Sequence, residues 1–474
     1  MFHAERLARY IKSLRYEDLP REVVKKAKQC VIDSIGCALA GSRFPAGKII
    51  IRTMTSFDQG RESRIWGTAR RSSILTAVFI HSALANVMDF DDAFYTGGFR
   101  SVIHPGASII PPAFSLAQSR PVTGKRLLEA VVAAYEIQAR IGEAVDPSEE
   151  QNKKIKGQGT FQTFGAMAAT AKLFDLREEQ IGNAFGIAGC GAPVAANRKV
   201  FGNEELGVTM VKNNYGMVSF NGLVSAFLAA NGFTGPVNIF EGETGFWRMI
   251  GSDRFFPERL TKDLGKKYRI LDVSFKPYPC GRYMHSSIDA VLKAVQTNVV
   301  DVKKIRSIAI KTHPFVANFL SRRNPKSYIH GTFSLPMIVG QEILKVPYGF
   351  EEQFRKNIRN REVLKYMQRV KVAAWVPEET NGEEKEYYPA EATLRTDQGA
   401  FSARVDYALG SRKNPVTMDQ TKEKFLRITE GTLGKAKSRR VLEKLENLEK
   451  ARNIRAEITD LLGSNGSGAG DERR

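Results

Sequence analysis

Apolar side chains recur at helical spacing through the first half of the chain. Within residues 21–39, Val23, Ala27 and Val31 fall on one face, and Gly41 follows as a stop signal. The same spacing predicts helices over residues 72–88, 123–142, 165–173 and 222–230. Many positions in these segments are Ala, Gly or Ser, which favours close contacts between helices. We therefore predict that residues 1–264 form a helical domain.

The pattern changes near residue 265, where alternating or β-rich segments predict strands. They lie at residues 269–275, 305–312, 370–375, 392–396 and 400–407. Asp397-Gln398-Gly399 separates the last two and is a typical hairpin signal. Helical spacing at residues 286–297 and 334–344 lies between the strands, so residues 265–411 are predicted to form an α+β domain.

Helical spacing returns after Asn414-Pro415, at residues 418–428 and 438–462, with Gly431 and Gly434 between the two segments. Because helical segments lie on both sides of the α+β part, residues 412–462 are predicted to complete the helical domain. Residues 463–474 are rich in Gly and Ser at their start and are predicted to be a disordered tail. The predicted fold class is mainly α with an α+β insertion.

Composition restricts the class of protein. The 474 residues are 42% apolar and 26% charged, which is ordinary for a soluble globular chain. No apolar run approaches the roughly 20 residues that span a bilayer. The four Cys show no CxxC spacing, and the N-terminal residues lack the apolar region of a secretory signal. We expect a cytoplasmic protein in a reducing compartment.

The chain carries 71 Lys and Arg against 51 Asp and Glu, a formal net charge of +20. Such an excess is compatible with nucleic acid, an anionic membrane surface, an anionic substrate or only a solvated surface. The basic residues are scattered, and their densest stretch, residues 435–455, interleaves them with Leu, Val and Glu at helical spacing. That pattern is typical of a solvated amphipathic helix, so no nucleic-acid or membrane partner is expected.

Three carboxylates, Asp89, Asp91 and Asp92, stand where the predicted 72–88 helix ends. They oppose the helix dipole there, so stability alone does not explain them. At helical spacing Asp89 and Asp92 share a face and Asp91 points elsewhere. His104, in a predicted His-Pro-Gly turn, follows closely enough to fold back, and a carboxylate with a His can form a general acid–base pair. The alternative is that the carboxylates solvate the helix end and His104 is a turn residue.

Two further segments place cations where a ligand could meet them. Lys212 comes just before a predicted helix and could face a ligand carboxylate; the alternative is an exposed loop lysine. Residues 274–285 carry Lys276, Arg282 and His285 in a loop stiffened by two prolines, between the two predicted domains. Domain junctions are favoured ligand sites, although a rigid connector with solvated cations would show the same residues.

These motifs, taken in order, resemble the MmgE/PrpD family. The likeness runs from about residue 19 to about residue 450 and rests on Asp89-Phe-Asp-Asp, His104-Pro-Gly, Phe233-Thr-Gly-Pro, Phe275-Lys-Pro-Tyr-Pro-Cys and Gly410-Ser-Arg-Lys-Asn-Pro. It implies a helical domain with an inserted α+β lid, usually as a homodimer, working without metal or organic cofactor. The family includes 2-methylcitrate dehydratases, cis-aconitate decarboxylases and iminodisuccinate epimerases.

The resemblance also implies roles for individual residues. Asp89, His104 and Lys212 match catalytic positions, and Lys276 matches the lysine of the lid motif. We expect Lys276, together with Arg282 and His285 of the same loop, to bind substrate.

Two positions depart from the decarboxylase pattern. Ala93 follows Asp-Phe-Asp-Asp where that pattern has Thr, and Lys156 stands where it has His. Lys156 is expected to bind substrate and would favour a more anionic ligand. These departures argue against decarboxylation of cis-aconitate.

The expected activity is that of a lyase that removes a proton α to a carboxylate of a di- or tricarboxylate, with cations stabilising the resulting charge. Of the reactions in this family, we expect dehydration of the 2-methylcitrate type first, with epimerisation and decarboxylation as the alternatives. A remote alternative is a terpene cyclase, whose DxDD string Asp89–Asp92 also fits. Such enzymes need an aromatic-lined pocket for a carbocation, and aromatic residues make up only 9% of this chain.

Overall fold

The computed structural model describes residues 1–96, 101–152, 154–155, 157–193, 210, 214–347, 350–377 and 388–464. Helices dominate the described chain and strands form only small sheets. The predicted fold class, mainly α with an α+β part, is therefore confirmed. Within the described residues, no helix is both long and apolar enough to cross a membrane.

Most of the helices that lie before residue 265 contribute to one large apolar core. Their bounds are His3–Ser13, Arg21–Gly41, Pro45–Thr55, Ile74–Asn86, Pro105–Ser119, Gly124–Ala144, Glu149–Asn152, Gly157–Thr160, Thr163–Leu173, Glu178–Cys190, Tyr215–Ala230, Phe246–Met249 and Glu258–Thr261. Two short antiparallel hairpins accompany them, formed by β1 (Ser63–Arg64) with β2 (Arg71–Ser72) and by β3 (Phe94–Thr96) with β4 (Ser101–Ile103).

Glycines allow these helices to approach closely. A Cβ atom on Gly222 would lie 2.3 Å from the backbone oxygen of Thr163, and one on Gly41 would lie 2.2 Å from that of Leu84. Both distances are far below van der Waals contact, so no larger residue fits at either crossing without moving the backbone. The second crossing holds the helix that leads into the Asp89–Asp92 segment.

The α+β part is built on a four-stranded sheet of β5 (Ser307–Thr312), β6 (Val370–Ala374), β7 (Ala390–Thr396) and β8 (Gly399–Val405). The strands lie in the order β6-β5-β7-β8. β5 pairs with β6 in parallel, and the other pairs are antiparallel. The helices of this part are His285–Thr297, Pro314–Phe319, Tyr328–Gly331, Leu335–Ile343, Glu351–Asn357 and Arg361–Arg369.

Four of the five predicted strands and the hairpin between β7 and β8 are confirmed. The strand predicted at residues 269–275 is wrong, because Arg269–Asp272 forms a 3₁₀ helix. The backbone amides of Arg269 and Ile270 donate to the buried Glu136 carboxylate instead of a strand. Ser274 makes only an isolated bridge, with two 2.8 Å backbone hydrogen bonds to Ala93.

The chain then returns to the helical part through Met418–Leu433, Lys435–Glu446 and Ile454–Glu457. The first of these packs against Arg21–Gly41. Gly434, at φ +80°, separates the first two helices. The single helix predicted over residues 438–462 is wrong beyond Glu446, because the chain turns there and the backbone oxygen of Ala451 accepts from the amide of Gly124 at 2.8 Å.

The domain boundaries 1–264, 265–411 and 412–462 stay a prediction. Of the predicted tail, residues 465–474 lie outside the described residues.

A third apolar cluster joins the helical and α+β parts. Phe44, Met88 and Phe90 come from the helical side, and Tyr328 and Met337 come from the α+β side. Because Met88 and Phe90 flank Asp89, this contact places the carboxylate segment at the junction of the two parts.

Candidate active site

The three carboxylates lie in a loop. The Ile74–Asn86 helix ends before them, and Asp89 has a left-handed backbone with φ +56°, a conformation that is uncommon outside Gly. The amide of Asp89 donates to the backbone oxygen of Asn86 at 3.0 Å. The prediction that Asp89 and Asp92 share a helical face is therefore wrong, and each carboxylate has its own surroundings.

Asp89 is paired with Lys276. The lysine Nζ lies 3.1 Å from Asp89 Oδ1 and donates to the Asp89 backbone oxygen at 2.9 Å. The side chains are 1% and 5% exposed. The bridge between Ser274 and Ala93 brings the Lys276 segment to the loop, so the structure brings together two residues that the sequence placed in separate motifs.

His104 stands at the start of the Pro105–Ser119 helix, with Pro105 as its first residue. The predicted Pro-Gly turn is therefore wrong, since Pro105 and Gly106 form the first turn of a helix, where proline is well tolerated. The His104 Nδ1 lies 2.7 Å from the backbone oxygen of Asp92. A carbonyl oxygen can only accept, so Nδ1 carries the proton in the neutral ring.

The other ring nitrogen of His104 faces the ion pair. Its Nε2 lies 3.9 Å from Asp89 Oδ1, while Nδ1 lies 3.6 Å from Oδ1 of the fully buried Asp91. In the neutral ring Nε2 has a lone pair, and a carboxylate stands close to each nitrogen to stabilise the ring once it is protonated. The predicted proximity of His104 to the carboxylate cluster is thus present in the structure.

Asp92 anchors the start of the His104 helix. The Tyr135 hydroxyl donates to its Oδ2 at 2.6 Å, and the Gly106 amide donates to its Oδ1 at 2.9 Å. Burial raises the pKa of Asp92 to about 8, with the charges of Asp91 and Asp33 adding to the effect and the two hydrogen bonds opposing it. Asp92 therefore holds the helix and the ring of His104 in place.

Tyr135 and Tyr215 also belong to this site, and neither was predicted from the sequence. The Tyr215 hydroxyl accepts from the His104 amide and from Gln162 Nε2, both at 3.2 Å. The side-chain amide nitrogen of Asn86 (Nδ2) donates to both carboxylate oxygens of Asp91, at 2.8 and 3.0 Å. The sequence offered one signal for both tyrosines. Each stands beside small residues, Tyr135 within a predicted helix and Tyr215 just before one, and a buried tyrosine hydroxyl needs a hydrogen-bond partner.

Arg282 and His285 lie in the same loop region as Lys276 but bond to protein groups. Arg282 Nη1 donates to the backbone oxygen of Leu409 at 2.8 Å and lies 3.1 Å from His285 Nδ1. Burial, together with the charges of Arg282 and Lys276, holds the pKa of His285 well below its usual range. The ring is therefore neutral and fully buried, and the substrate contacts predicted for these two residues stay a prediction.

Family models cover most of the chain. Residues 5–258 match the MmgE/PrpD N-terminal domain, and residues 278–450 match the MmgE/PrpD C-terminal domain. The chain belongs to the MmgE/PrpD family. The family predicted from the motifs is thus confirmed.

Relatives within the MmgE/PrpD family include enzymes of more than one reaction. A cis-aconitate decarboxylase from Aspergillus terreus is 24% identical over 363 residues, 71% of each chain. The cis-aconitate decarboxylase of Mus musculus is 23% identical over 464 residues, 94% of this chain and 91% of the mouse enzyme. A 2-methylcitrate dehydratase from Cupriavidus necator is 22% identical over 338 residues, 66% of this chain and 65% of that enzyme. Membership of this family, whose named relatives are decarboxylases and a dehydratase, argues against the terpene-cyclase and nucleic-acid alternatives.

Two lysines with predicted roles in this MmgE/PrpD protein, Lys212 and Lys156, lie outside the described residues. Of the predicted site residues, the structure brings together Asp89, His104 and Lys276.

Proposed function

We propose that this protein is a lyase that moves a proton at a carbon next to a carboxylate of a di- or tricarboxylate substrate, using its own side chains and no cofactor. The observation that carries the proposal is the placement of His104 Nε2 at 3.9 Å from an Asp89 carboxylate that is paired with Lys276. A base, a second acid–base group and a cation then stand together where the helical and α+β parts meet.

The proton transfer follows from this geometry. Neutral His104 takes a proton at Nε2, while Nδ1–H stays bonded to the backbone oxygen of Asp92. The imidazolium is stabilised by the carboxylates of Asp89 and Asp91, at 3.9 and 3.6 Å from the ring nitrogens. Negative charge on the substrate is stabilised by Lys276, whose ammonium has three donors and bonds to Asp89 through two contacts.

Substrate entry requires movement at the junction. Lys276 is almost completely buried and lies on the segment that leads into the α+β part. A ligand carboxylate reaches its ammonium only if this segment moves away from Asp89. Closure over the substrate then excludes water and strengthens each charge contact.

Dehydration is the first candidate reaction. Neutral His104 takes the proton from the carbon at Nε2, and the resulting imidazolium gives that proton to the departing hydroxyl, which leaves as water while the carbon–carbon double bond forms. Asp89, with its carboxylate 3.9 Å from Nε2, is the partner that stabilises the protonated ring.

Decarboxylation is the second candidate, supported by relatives from Aspergillus terreus and Mus musculus that are named as cis-aconitate decarboxylases. It releases CO₂, and the carbanion left behind takes a proton from a protonated group, which the imidazolium form of His104 would supply. Epimerisation, the third candidate, would return the proton to the opposite face of the same carbon.

The deciding experiment is an NMR screen in D₂O against 2-methylcitrate, citrate, cis-aconitate and iminodisuccinate. Exchange of the proton next to a carboxylate supports the proposal. Loss of water then identifies dehydration, loss of CO₂ identifies decarboxylation, and inversion of the configuration at carbon identifies epimerisation. We expect His104→Gln to slow proton exchange and product formation by about 10²- to 10⁴-fold. His3→Gln, at a partly exposed pair with Glu241, should retain both at the wild-type rate. Absence of exchange and of product with every acid would contradict the proposal.

The assembly and location of the protein also remain proposals. We propose a homodimer, as the family likeness implies, and light scattering of the purified protein would measure its mass. A cytoplasmic location stays a prediction.

A further inference from the structure

Two lysines from distant parts of the chain hold two successive carbonyls of the Asp89–Asp92 loop. Lys276 donates to the backbone oxygen of Asp89, as described above. Lys424 donates to the next one, that of Phe90, at 2.5 Å. Its ammonium also contacts Asp33 Oδ1 at 2.6 Å and lies 3.9 Å from the centre of the Phe90 ring.

This second lysine pair is buried within the helical part. Lys424 lies on the Met418–Leu433 helix and Asp33 on the Arg21–Gly41 helix, and their side chains are 8% and 0% exposed. Burial raises the pKa of Asp33, and the charge of Lys424 opposes that change. Burying an ion pair adds little stability compared with apolar residues of the same volume, so stability alone gives no reason for this pair.

The bond to Phe90 acts on the geometry of the proposed catalytic groups. A peptide unit is planar, so a bond that holds the Phe90 oxygen also fixes the orientation of the Asp91 amide and the position of the Asp91 Cα atom. The left-handed backbone of Asp89 precedes this unit, and the oxygen of Asp92, which holds His104 Nδ1, follows it. A shift of the peptide therefore changes both the Asp89 position and the support of His104.

We propose that Lys424, with Asp33 as its counter-ion, is a positioning residue for the proton transfer between His104 and substrate. Its ammonium fixes the position of the Phe90 carbonyl by a hydrogen bond, and so keeps the side chains of Asp89 and His104 at the distance and orientation that proton transfer needs. The effect on turnover rests on the proposed function, whereas the effect on His104 does not depend on any substrate.

The variants are chosen to separate positioning from folding. Lys424→Met alone leaves the Asp33 charge buried without its partner, so the informative variant is the double change Lys424→Met with Asp33→Asn. Lys424→Arg keeps the charge. Lys172→Met is the matched control, since Lys172 is also buried and donates to the backbone oxygens of Lys12 and Leu14.

The first measurement is steady-state kinetics on the acid that the wild type converts. We expect the double variant to lose about 10- to 100-fold in kcat with little change in KM, as a displaced reacting group does. Lys424→Arg should recover part of that loss, and Lys172→Met should keep the wild-type kcat. Wild-type kcat in a folded double variant would overturn the inference.

The second measurement needs no substrate. The ¹⁵N shifts of the His104 ring, assigned with His104→Gln, report which nitrogen carries the proton. We expect the proton on Nδ1 alone in the wild type and in Lys172→Met, and a mixture of the two neutral forms in the double variant. Unchanged His104 shifts in the double variant would overturn the inference. If the wild type converts no acid, the proposed function fails, and this measurement alone decides the role of Lys424.

Discussion

Asp92 provides a direct test of the electrostatics of the site. Its carboxyl is buried between Tyr135 and Gly106, and its pKa is about 8 in the folded protein. In the unfolded chain the pKa of an aspartate is about 3.9. Between these two values the folded protein holds a proton that the unfolded chain has released.

The sign and size of the effect follow from this difference. Because the folded pKa is raised, the stability that depends on protonated Asp92 is complete below about pH 4 and is lost as pH rises through about pH 8. The total loss is about 6 kcal/mol, at 1.36 kcal/mol for each pH unit between the two pKa values, and about 4 kcal/mol of it falls between pH 5 and pH 9.

The assay compares the free energy of unfolding of wild type and Asp92→Asn in urea from pH 5 to pH 9. Asparagine has one oxygen to accept a hydrogen bond and does not titrate, so the wild type should lose about 4 kcal/mol relative to the variant. Glu136, whose pKa burial raises to about 7, is present in both proteins and cancels. The control is Asp175→Asn, because the hydrogen bond from Lys12 lowers the pKa of Asp175 and so keeps it ionised over this range. If the wild-type and Asp92→Asn curves run parallel, Asp92 does not titrate as burial predicts and the reasoning is wrong.

Three further changes test the proposed roles on the acid identified by the NMR screen. His104→Gln should lower kcat by about 10²- to 10⁴-fold, the usual contribution of a general base; steady-state kinetics on a folded variant measure it, and retained turnover would remove His104 from the mechanism. Lys276→Met should lower kcat/KM by about 10²- to 10³-fold. The control Lys293→Met, at an exposed contact, should leave kcat/KM unchanged. Equal kcat/KM values for the two variants would refute the role of Lys276 in stabilising charge on the substrate. Gly106→Ala would place a Cβ 2.9 Å from Asp92 Oδ1, so it should destabilise the fold by about 1–3 kcal/mol and lower kcat because His104 moves; a normal melting temperature with normal kcat would show that the contact relaxes freely.

Much of the fold was predictable because helical and strand periods are local properties. The hairpin formed by β7 and β8 follows from alternation and from the Asp397-Gln398-Gly399 turn. Prediction failed at residues 269–275, where the local pattern resembled a strand. There the amides of Arg269 and Ile270 bind a carboxylate from a helix more than 130 residues earlier, an interaction that local spacing does not encode.

The sequence by itself determined the family, the fold class and the residue types of the candidate site. Asp89, His104 and Lys276 could be named as an acid–base pair and a cation because motifs place reactive side chains at unusual positions. Only the tertiary structure decided that these side chains lie close together. Lys276 comes 187 residues after Asp89 and contacts it because the helical and α+β parts pack against each other. Lys424, 334 residues after Phe90, has no local signature, because whether a lysine is solvated or buried against a carbonyl depends on which helix packs over it.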